Sequence, residues 1–202
     1  IHCMDFGAEP RPDGTVRFRL WAPAIRDAEL VLADGPAAGS HPMRCEAGGW
    51  FECALGQAPP GTRYRFRLDD GLSVADPASR YQPQDVLGPS EVVDPAAFAW
   101  DDEDWTGRPW EEAVLYELHV GAFTPEGTFQ AVRTRLDHLT DLGVTAIELM
   151  PVAEAPGQRG WGYDGVYLFA PNSAYGRPED LKALVQAAHR RGLMVFLDVV
   201  YN

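Results

Sequence analysis

Apolar and polar residues alternate with period two through residues 1–95. The alternation is clearest in two segments in which arginines separate the apolar positions, Val16-Arg-Phe-Arg-Leu20 and Arg63-Tyr-Arg-Phe-Arg-Leu68. Period-two alternation with one charged face is typical of half-buried antiparallel strands. Turn signals rich in Gly, Pro and Asp separate these segments at short intervals. The pattern predicts an immunoglobulin-like β-sandwich over residues 1–95.

The pattern changes from Ala113 onwards. Three apolar runs with little polar alternation predict strands that are covered on both faces: 113–120, 144–149 and 193–199. Two segments with apolar residues at helical spacing lie between them: 128–142 and 178–191. Thr128 is placed to cap the first helix, and Gly143 follows its end. The order strand, helix, strand, helix, strand predicts parallel strands with right-handed crossovers.

Two further segments complete the predicted organisation, which is multi-domain β plus α/β. Residues 96–112 form a connector between the sandwich and the α/β region of residues 113–202, and its aromatic residues predict that it docks onto its neighbours. Residues 151–177 join the second predicted strand to the second helix. Connections of that length in compact domains are usually functional.

Composition limits the classes of partner and cofactor that the protein is expected to bind. The net charge is −13, from 30 acidic and 17 basic residues, which argues against a nucleic-acid partner. The sequence contains no run of about 18 apolar residues, so it predicts no membrane span. The three cysteines are odd in number and lack metal-site spacing, which predicts reduced thiols in the cytoplasm. We expect neither a metal nor a cofactor, because no Walker or dinucleotide-binding fingerprint is present.

Two of the cysteines flank a glycine pair. A two-residue turn at Gly48-Gly49 pairs Cys45 with Glu52 and Cys53 with Arg44. In this register Cys45 lies opposite the residue next to Cys53, and neighbouring residues of a strand point to opposite faces of the sheet. The two sulfurs therefore point to opposite faces and are expected to be free thiols.

The segment Gly160-Trp-Gly-Tyr-Asp-Gly165 is the first candidate for chemistry. Its glycines let the backbone turn tightly and approach a ligand. Tyr163 can stack on a sugar ring, and Asp164 can accept charge-assisted hydrogen bonds from two hydroxyl groups. The residues also fit a rigid turn with a packed aromatic ring, so a ligand site and a structural turn both stay open.

A second candidate lies at the end of the third predicted strand, the end at which an α/β barrel carries its chemistry. Asp198 is either a ligand residue or a carboxylate held by backbone N–H groups. Asn202 follows just above the strand and could bond a loop, a metal or a sugar hydroxyl. Glu117 and His119 share one face of the first predicted strand, and we expect them to form a buried pair lining the barrel.

Four ordered motifs together resemble the α-amylase superfamily, glycoside hydrolase family 13: Leu115–Phe129, Ile147–Val152, Gly160–Gly165 and Asp198–Asn202. Within it they are most similar to the family of maltooligosyl trehalose trehalohydrolases. Residues 1–95 resemble the N-terminal sandwich of those enzymes, which is related to starch- and glycogen-associated modules. Branching enzymes usually carry Gln and isoamylase-type enzymes usually carry Asn where this chain has Asp164.

The resemblance implies a retaining double displacement at the α-1,4 bond next to a terminal trehalose unit, with two carboxyl groups about 5 Å apart. It implies that residues 113–202 are the first three βα units of a truncated (β/α)8 barrel. The nucleophilic Asp and the acid/base Glu of the family lie downstream, so no catalytic residue is expected in this chain, and the chain by itself is expected to be inactive. Branching and debranching activities, or a non-catalytic glucan-binding fragment, are the alternatives.

The resemblance also implies the roles of the site residues toward a maltooligosaccharide-type glucan. The residues expected to bind the sugar are those of the loop: Trp161, Tyr163 and Asp164. The residues expected to support that pocket are His119, Asp198 and Asn202.

Overall fold

The computed structural model describes residues 5–201, which form two compact units with the boundary between Pro95 and Ala96. The strands described in the first unit are β1 (Gly7–Pro10), β2 (Val16–Trp21), β3 (Ala28–Leu32), β4 (Gly39–Pro42), β5 (Arg44–Glu46), β6 (Trp50–Leu55), β7 (Arg63–Leu68), β8 (Ser73–Val74) and β9 (Ser90–Glu91). They form two antiparallel sheets, ordered β1-β2-β6-β5 and β4-β3-β7-β8, with β9 also paired to β7.

The core of the first unit follows the period-two pattern. In β2 the apolar residues at alternate positions are buried, while the arginines between them point outward. Phe18 of β2 meets Tyr64 of β7 edge to face, with 4.9 Å between the ring centres. Phe66 lies fully buried beside Tyr64. Because apolar residues of both sheets fill one core, the predicted β-sandwich is confirmed.

The turn between β5 and β6 differs from the prediction. Cys45 pairs with Phe51, and Arg44 pairs with Glu52, so the predicted register is wrong by one residue. The turn has three residues, 47–49, and two of them are glycines with positive φ. Both cysteines therefore share one face of the sheet, because Cys53 lies two residues beyond Phe51. Cys45 and Cys53 are free, as predicted. Burial raises the pKa of the Cys53 thiol.

A buried carboxyl group anchors the far end of the second sheet. The Tyr64 hydroxyl donates to Asp76 Oδ2 at 2.6 Å, and the Ala78 N–H donates to Asp76 Oδ1 at 2.8 Å. The Asp76 N–H donates to Ser90 Oγ at 3.0 Å. Burial raises the pKa of Asp76 to about 6, although the donors at its two oxygens favour the charged form.

The second unit contains, among its described residues, a 3-10 helix (Trp110–Glu112), β10 (Leu115–Leu118), α1 (Val120–Phe123), α2 (Phe129–Arg133), α3 (Leu136–Leu142), β11 (Ala146–Leu149), β12 (Ala153–Glu154), β13 (Tyr167–Pro171), α4 (Pro178–His189) and β14 (Met194–Leu197). The strands β10, β11 and β14 form a parallel sheet, as predicted, and β11 lies in its centre. No helix within residues 5–201 is long and apolar enough to cross a membrane.

The predicted helix 128–142 is divided in two. Its ends are confirmed: the Thr128 side chain accepts from the Ala131 N–H, and Gly143 closes the helix in the left-handed conformation. The break lies at Thr134, whose hydroxyl donates to the Ala131 carbonyl at 2.7 Å and competes with the helical backbone. Leu136 and Leu139 nevertheless stay buried, so the break leaves the core-facing stripe intact.

The segment 151–177 also differs from the prediction, because it is not only a loop. β12 and β13 pair antiparallel within it, with an irregular register. Residues 155–166 therefore form a loop between two paired strands, which fixes both ends of the loop.

The segment 96–112 packs against the C-terminal end of α4. Trp105 stacks on His189 with 4.7 Å between ring centres, and His189 Nδ1 lies 2.5 Å from Asp102 Oδ2. Arg108 Nε donates to the carbonyl oxygen of Gly192 at 2.7 Å. The aromatic residues of the segment therefore do dock onto the α/β region, as the sequence predicts.

Candidate functional site

The candidate residues gather at the carboxyl ends of the parallel strands. His119 directly follows β10, Pro151 lies just beyond β11, and Asp198 directly follows β14. Parallel register places these three ends at one edge of the sheet. The loop 155–166 reaches this edge through a hydrogen bond to each outer strand end, at His119 and at Asp198.

Tyr163 and Asp198 are joined directly. The Tyr163 hydroxyl donates to Asp198 Oδ2 at 2.7 Å, so this carboxylate has a side-chain donor from the loop and not only the backbone donors that the sequence left open. That hydrogen bond raises the pKa of Tyr163, and partial burial and the charges of Asp198, Glu117 and Glu148 raise it further. The phenol therefore stays protonated, and its ring is held in place at an exposed position.

His119 lies outside the strand on which the sequence placed it. β10 ends at Leu118, and His119 is the residue that precedes α1. The prediction of a buried pair lining the barrel is wrong: the strand ends before His119 can share its face with Glu117, and Glu117 is exposed.

The hydrogen bonds of His119 tie its ring to the loop. Nε2 lies 2.8 Å from the carbonyl oxygen of Gly160 and 3.2 Å from the Tyr175 hydroxyl. Because a carbonyl can only accept, Nε2 carries the proton in this arrangement. Among the described residues, Nδ1 is buried without a hydrogen-bond partner. His119 therefore holds the Gly160 carbonyl through Nε2.

Glycine makes this arrangement possible. A Cβ at Gly121 would lie 2.9 Å from the Tyr175 ring and 3.1 Å from the His119 ring. Since real Cβ atoms do not approach other atoms so closely, Gly121 lets the two rings meet edge to face.

Trp161 stands on the part of the loop that is anchored on both sides. His119 holds the Gly160 carbonyl, and Gly162 has a φ of +94° and so little space that a Cβ would lie 2.1 Å from the Pro151 carbonyl oxygen. The indole itself is 76% exposed. It borders an apolar cavity of about 420 Å³ whose floor includes His119 and Met150. A fixed backbone therefore presents a large open aromatic face.

Asp164 differs from its neighbour Tyr163. Its side chain is exposed, and within residues 5–201 its carboxylate accepts no hydrogen bond. It borders a narrow cavity of about 20 Å³ together with Asn172 and Tyr175. Both carboxylate oxygens are therefore available to hydroxyl donors.

The predicted site residues thus fall into three groups. Tyr163 and Asp198 are hydrogen-bonded to each other, His119 and Trp161 border one cavity, and Asp164 borders a different cavity and is hydrogen-bonded to neither pair. Asn202 lies outside the described residues. Within residues 5–201, no group of three or more His, Cys, Asp or Glu side chains is arranged to hold a metal ion.

Three residues that build this edge were not predicted from the sequence. Tyr175 bonds His119, Asn172 borders the cavity of Asp164, and Glu154 lies buried where its Oε2 accepts from the Ser173 N–H at 2.6 Å. A signal was present, because Asn172 and Tyr175 form a polar and aromatic cluster inside the long segment and directly before a helix.

Two family models match the chain. Residues 92–202 match the alpha amylase catalytic domain, and residues 5–83 match carbohydrate-binding module 48, described as the isoamylase N-terminal domain.

Curated relatives agree with these matches. The malto-oligosyltrehalose trehalohydrolase of Deinococcus radiodurans is 52% identical over 197 residues, which are 97% of this chain and 32% of the relative. The enzyme of the same name from Saccharolobus solfataricus is 48% identical over 199 residues, which are 98% of this chain and 35% of the relative. The chain therefore spans about a third of the length of these relatives.

Solved structures share the fold. A candidate alpha amylase from Salmonella typhimurium is 51% identical with a TM-score of 0.93, over 98% of this chain and 33% of that one. A pullulanase from Paenibacillus barengoltzii, in complex with maltohexaose and alpha-cyclodextrin, is 28% identical with a TM-score of 0.84, over 100% of this chain and 38% of that one.

Proposed function

Since the chain belongs to the alpha amylase catalytic-domain family and carries a carbohydrate-binding module 48, we propose that the protein containing it is a retaining α-glycosidase. Its reaction is hydrolysis of the α-1,4 bond next to the terminal trehalose of maltooligosyl trehalose, which releases trehalose. The similarity to several trehalohydrolases supports this reaction over others of the family.

One observation carries the proposal: the unpaired Asp164 carboxylate belongs to the residue that directly follows Tyr163, whose ring Asp198 fixes at the carboxyl edge of a parallel sheet. An aromatic face covers the C–H face of a sugar, and a free carboxylate accepts its hydroxyl hydrogens. A site that already held both groups in internal bonds would have to break them before binding. Here Asp198 orients the ring, while Asp164 stays open.

The proposed roles of the residues are those that the family resemblance implies. Tyr163, Asp164 and Trp161 bind glucosyl units of the substrate, while Asp198 and His119 hold the binding loop, and Asn202 supports the same pocket. The nucleophile and the acid/base are two carboxyl groups about 5 Å apart in a retaining enzyme, and we assign neither to this chain. The three parallel strands are then the first three of eight in a barrel, preceded by a sandwich over 1–95 and a connector over 96–112.

The protein is proposed to act in the cytoplasm on a neutral glucan. The free state of Cys45 and Cys53 fits a reducing compartment. The net charge of −13 does not favour binding to nucleic acid.

Trehalose release tests the proposal. A protein that contains this chain and the remaining length of its relatives is supplied with maltooligosyl trehalose and, as a matched control, with a maltooligosaccharide of equal length. We expect free trehalose from the first substrate and far slower cleavage of the second. Equal cleavage of both substrates, or no cleavage of either, would contradict the proposed reaction.

A second candidate activity is glycogen branching. A 1,4-alpha-glucan branching enzyme from Corynebacterium jeikeium is 32% identical over 93% of this chain. The same protein incubated with amylose would then form new α-1,6 branch points, which iodine staining and debranching analysis detect. Formation of branches without trehalose release would replace the first proposal by this one. Binding of glucan with neither reaction would leave a non-catalytic glucan-binding role.

A further inference from the structure

An open groove of about 580 Å³ lies beside α2 and the C-terminal end of α4. Of the described residues that line it, none belongs to the loop 155–166, and most are charged or polar: Glu126, Thr128, Gln130, Arg133, Arg135 and Arg191. Three arginines against one exposed glutamate make the groove basic, although the chain as a whole carries −13. A basic groove on an acidic protein attracts anionic ligands.

The break between α2 and α3 brings two of these arginines to the same groove. In a continuous helix, residues two positions apart point about 200° apart and do not share a face. Here α2 ends at Arg133 and α3 begins at Leu136, so Arg133 and Arg135 flank the break at Thr134, and both line the groove. The core-facing stripe is unaffected, so the consequence of the break at the surface is that both arginines reach one groove.

The charges of Arg133 and Arg135 are not balanced by the chain. Within residues 5–201, neither side chain forms an ion pair or a hydrogen bond, whereas Arg17 and Arg108 each pair with a glutamate. The Nε of Arg133 is buried as well, and a buried donor without an acceptor is unfavourable. An anion in the groove would supply both the acceptor and the missing negative charge.

Two further donors are already held in position. Arg191 Nε donates to Asp137 Oδ1 at 2.5 Å and its Nη1 donates to the Ala187 carbonyl at 3.1 Å, while its Nη2 has no partner among the described residues. The Thr128 hydroxyl accepts from the Ala131 N–H at 3.2 Å, so its own proton can be donated to a ligand. Side chains that are already ordered lose little conformational entropy when a ligand binds.

We propose that this groove binds the dianionic phosphate group of a small, polar phosphate monoester. The phosphate lies between Arg133 and Arg135, whose planar forks of N–H donors match phosphate oxygens. Arg191 and Thr128 donate to the remaining oxygens, and the Gln130 amide reaches the polar remainder of the ligand. One dianion balances the two unpaired guanidinium charges, which a single carboxylate does not. The volume of about 580 Å³ is larger than a phosphate ion needs, so the esterified group also has room.

Isothermal titration calorimetry with glucose 6-phosphate tests the site, in the longer protein that contains this chain. We expect binding that weakens about tenfold or more in Arg133→Gln and likewise in Arg135→Gln, because each variant removes one charged fork. Arg133→Lys keeps the charge without the fork and should bind with intermediate affinity. The melting temperature without ligand checks that each variant is folded. Arg135 is exposed, so Arg135→Gln tests the site even if Arg133→Gln fails to fold.

Matched ligands and a matched variant separate this site from others. Glucose has no charge, so any affinity for it should be the same in the wild type and in Arg135→Gln. Gluconate offers a carboxylate on a similar polar body and should bind about tenfold more weakly than the phosphate or worse. Arg26→Gln removes an exposed arginine of the first unit and should leave the affinity for glucose 6-phosphate unchanged.

Three results would overturn the inference: no binding of glucose 6-phosphate to the wild type, unchanged affinity in Arg135→Gln, or binding of gluconate as tight as that of the phosphate. The last result would make the groove a carboxylate site. The inference does not depend on the proposed glycosidase reaction, so the absence of trehalose release would leave the binding result untouched.

Discussion

Both units of the chain bury apolar side chains in a core, but they differ in the number and location of the large apolar side chains that they expose. Among the described residues of the first unit, only Trp21, Leu72 and Leu87 are large, apolar and exposed. In the second unit, many exposed large side chains lie at strand ends and on the segment between β11 and α4: Leu115, Trp161, Tyr163, Val166, Leu168, Phe169, Leu197 and Val199.

The difference follows from how each sheet is covered. Two sheets of the sandwich cover each other, so alternate residues of β2, β3 and β7 enter one core, and the outward positions between them are mostly polar. The parallel sheet gathers aromatic and acidic side chains at its carboxyl edge, where Tyr163 and Trp161 remain open. Substitutions in the core of the sandwich should therefore act through stability, and substitutions of the exposed loop side chains Trp161, Tyr163 and Asp164 should act through binding.

The largest expected effect on stability lies in the sandwich core. Phe66→Ala removes a fully buried ring, which should lower the free energy of unfolding by about 3–5 kcal/mol. The matched control, Leu87→Ala, alters a residue that is 84% exposed and should change it by less than about 0.5 kcal/mol. Hydrogen exchange of the β3 and β7 amides during a urea titration measures both. Equal effects would show that the two sheets do not share a core.

The next effect concerns pH. Because the pKa of Asp76 is raised to about 6 by burial, this group favours the folded state below its ordinary value of 3.8 and loses that contribution as the pH rises through about 6. The loss is of the order of 3 kcal/mol, since one pKa unit corresponds to about 1.4 kcal/mol. Unfolding of the first unit from pH 3.5 to 7.5, compared with Asp76→Asn, measures it. A slope that persists in Asp76→Asn would assign the pH dependence to another group.

A smaller effect is expected at Gly162. The variant Gly162→Ala places a Cβ against the Pro151 carbonyl oxygen at a positive φ, which should cost about 1–3 kcal/mol and loosen the loop. Gly157→Ala is the control, because its φ is also positive but its Cβ would meet open space. Hydrogen exchange of the β12 and β13 amides compares the two variants. Equal protection in both would mean that Gly162 does not anchor Trp161.

The smallest expected effect concerns the reactivity of the two thiols Cys45 and Cys53. Cys45 is exposed, whereas Cys53 is half-buried with a raised thiol pKa, so Cys45 should react faster with a thiol reagent at neutral pH. Comparing Cys45→Ser with Cys53→Ser assigns the fast phase. A fast phase that survives Cys45→Ser and is absent from Cys53→Ser would contradict the assigned burial.

The sequence predicted those elements whose signal is local. Val16, Phe18 and Leu20 alternate with arginines, and that alternation alone locates β2 and its buried face. The N-cap at Thr128 and the left-handed Gly143 were likewise readable from residue type and position. The break at Thr134 was not, because the apolar residues on both sides of it keep helical spacing and that spacing carries no mark of the changed hydrogen bonds at the break.

Contacts between distant segments were beyond the sequence pattern. The hydrogen bonds from Tyr163 to Asp198 and from His119 to Gly160 join residues 35 and 41 positions apart, and no local periodicity encodes them. The register around Cys45 failed for a related reason. Two adjacent glycines fit both a two-residue and a three-residue turn, and the close packing of Gly49 on Pro23 is a contact that residue types alone do not show.

The most direct test of the proposed sugar site is the kinetics of Asp164→Ala in the longer protein that contains this chain. We predict that kcat/KM for trehalose release falls roughly 30- to 1000-fold, equivalent to about 2–4 kcal/mol, with an unchanged melting temperature. Asp141→Ala, which removes an exposed carboxylate from α3, serves as the control and should leave both quantities unchanged. Near-wild-type kcat/KM in Asp164→Ala would contradict the account and would make the loop a structural turn.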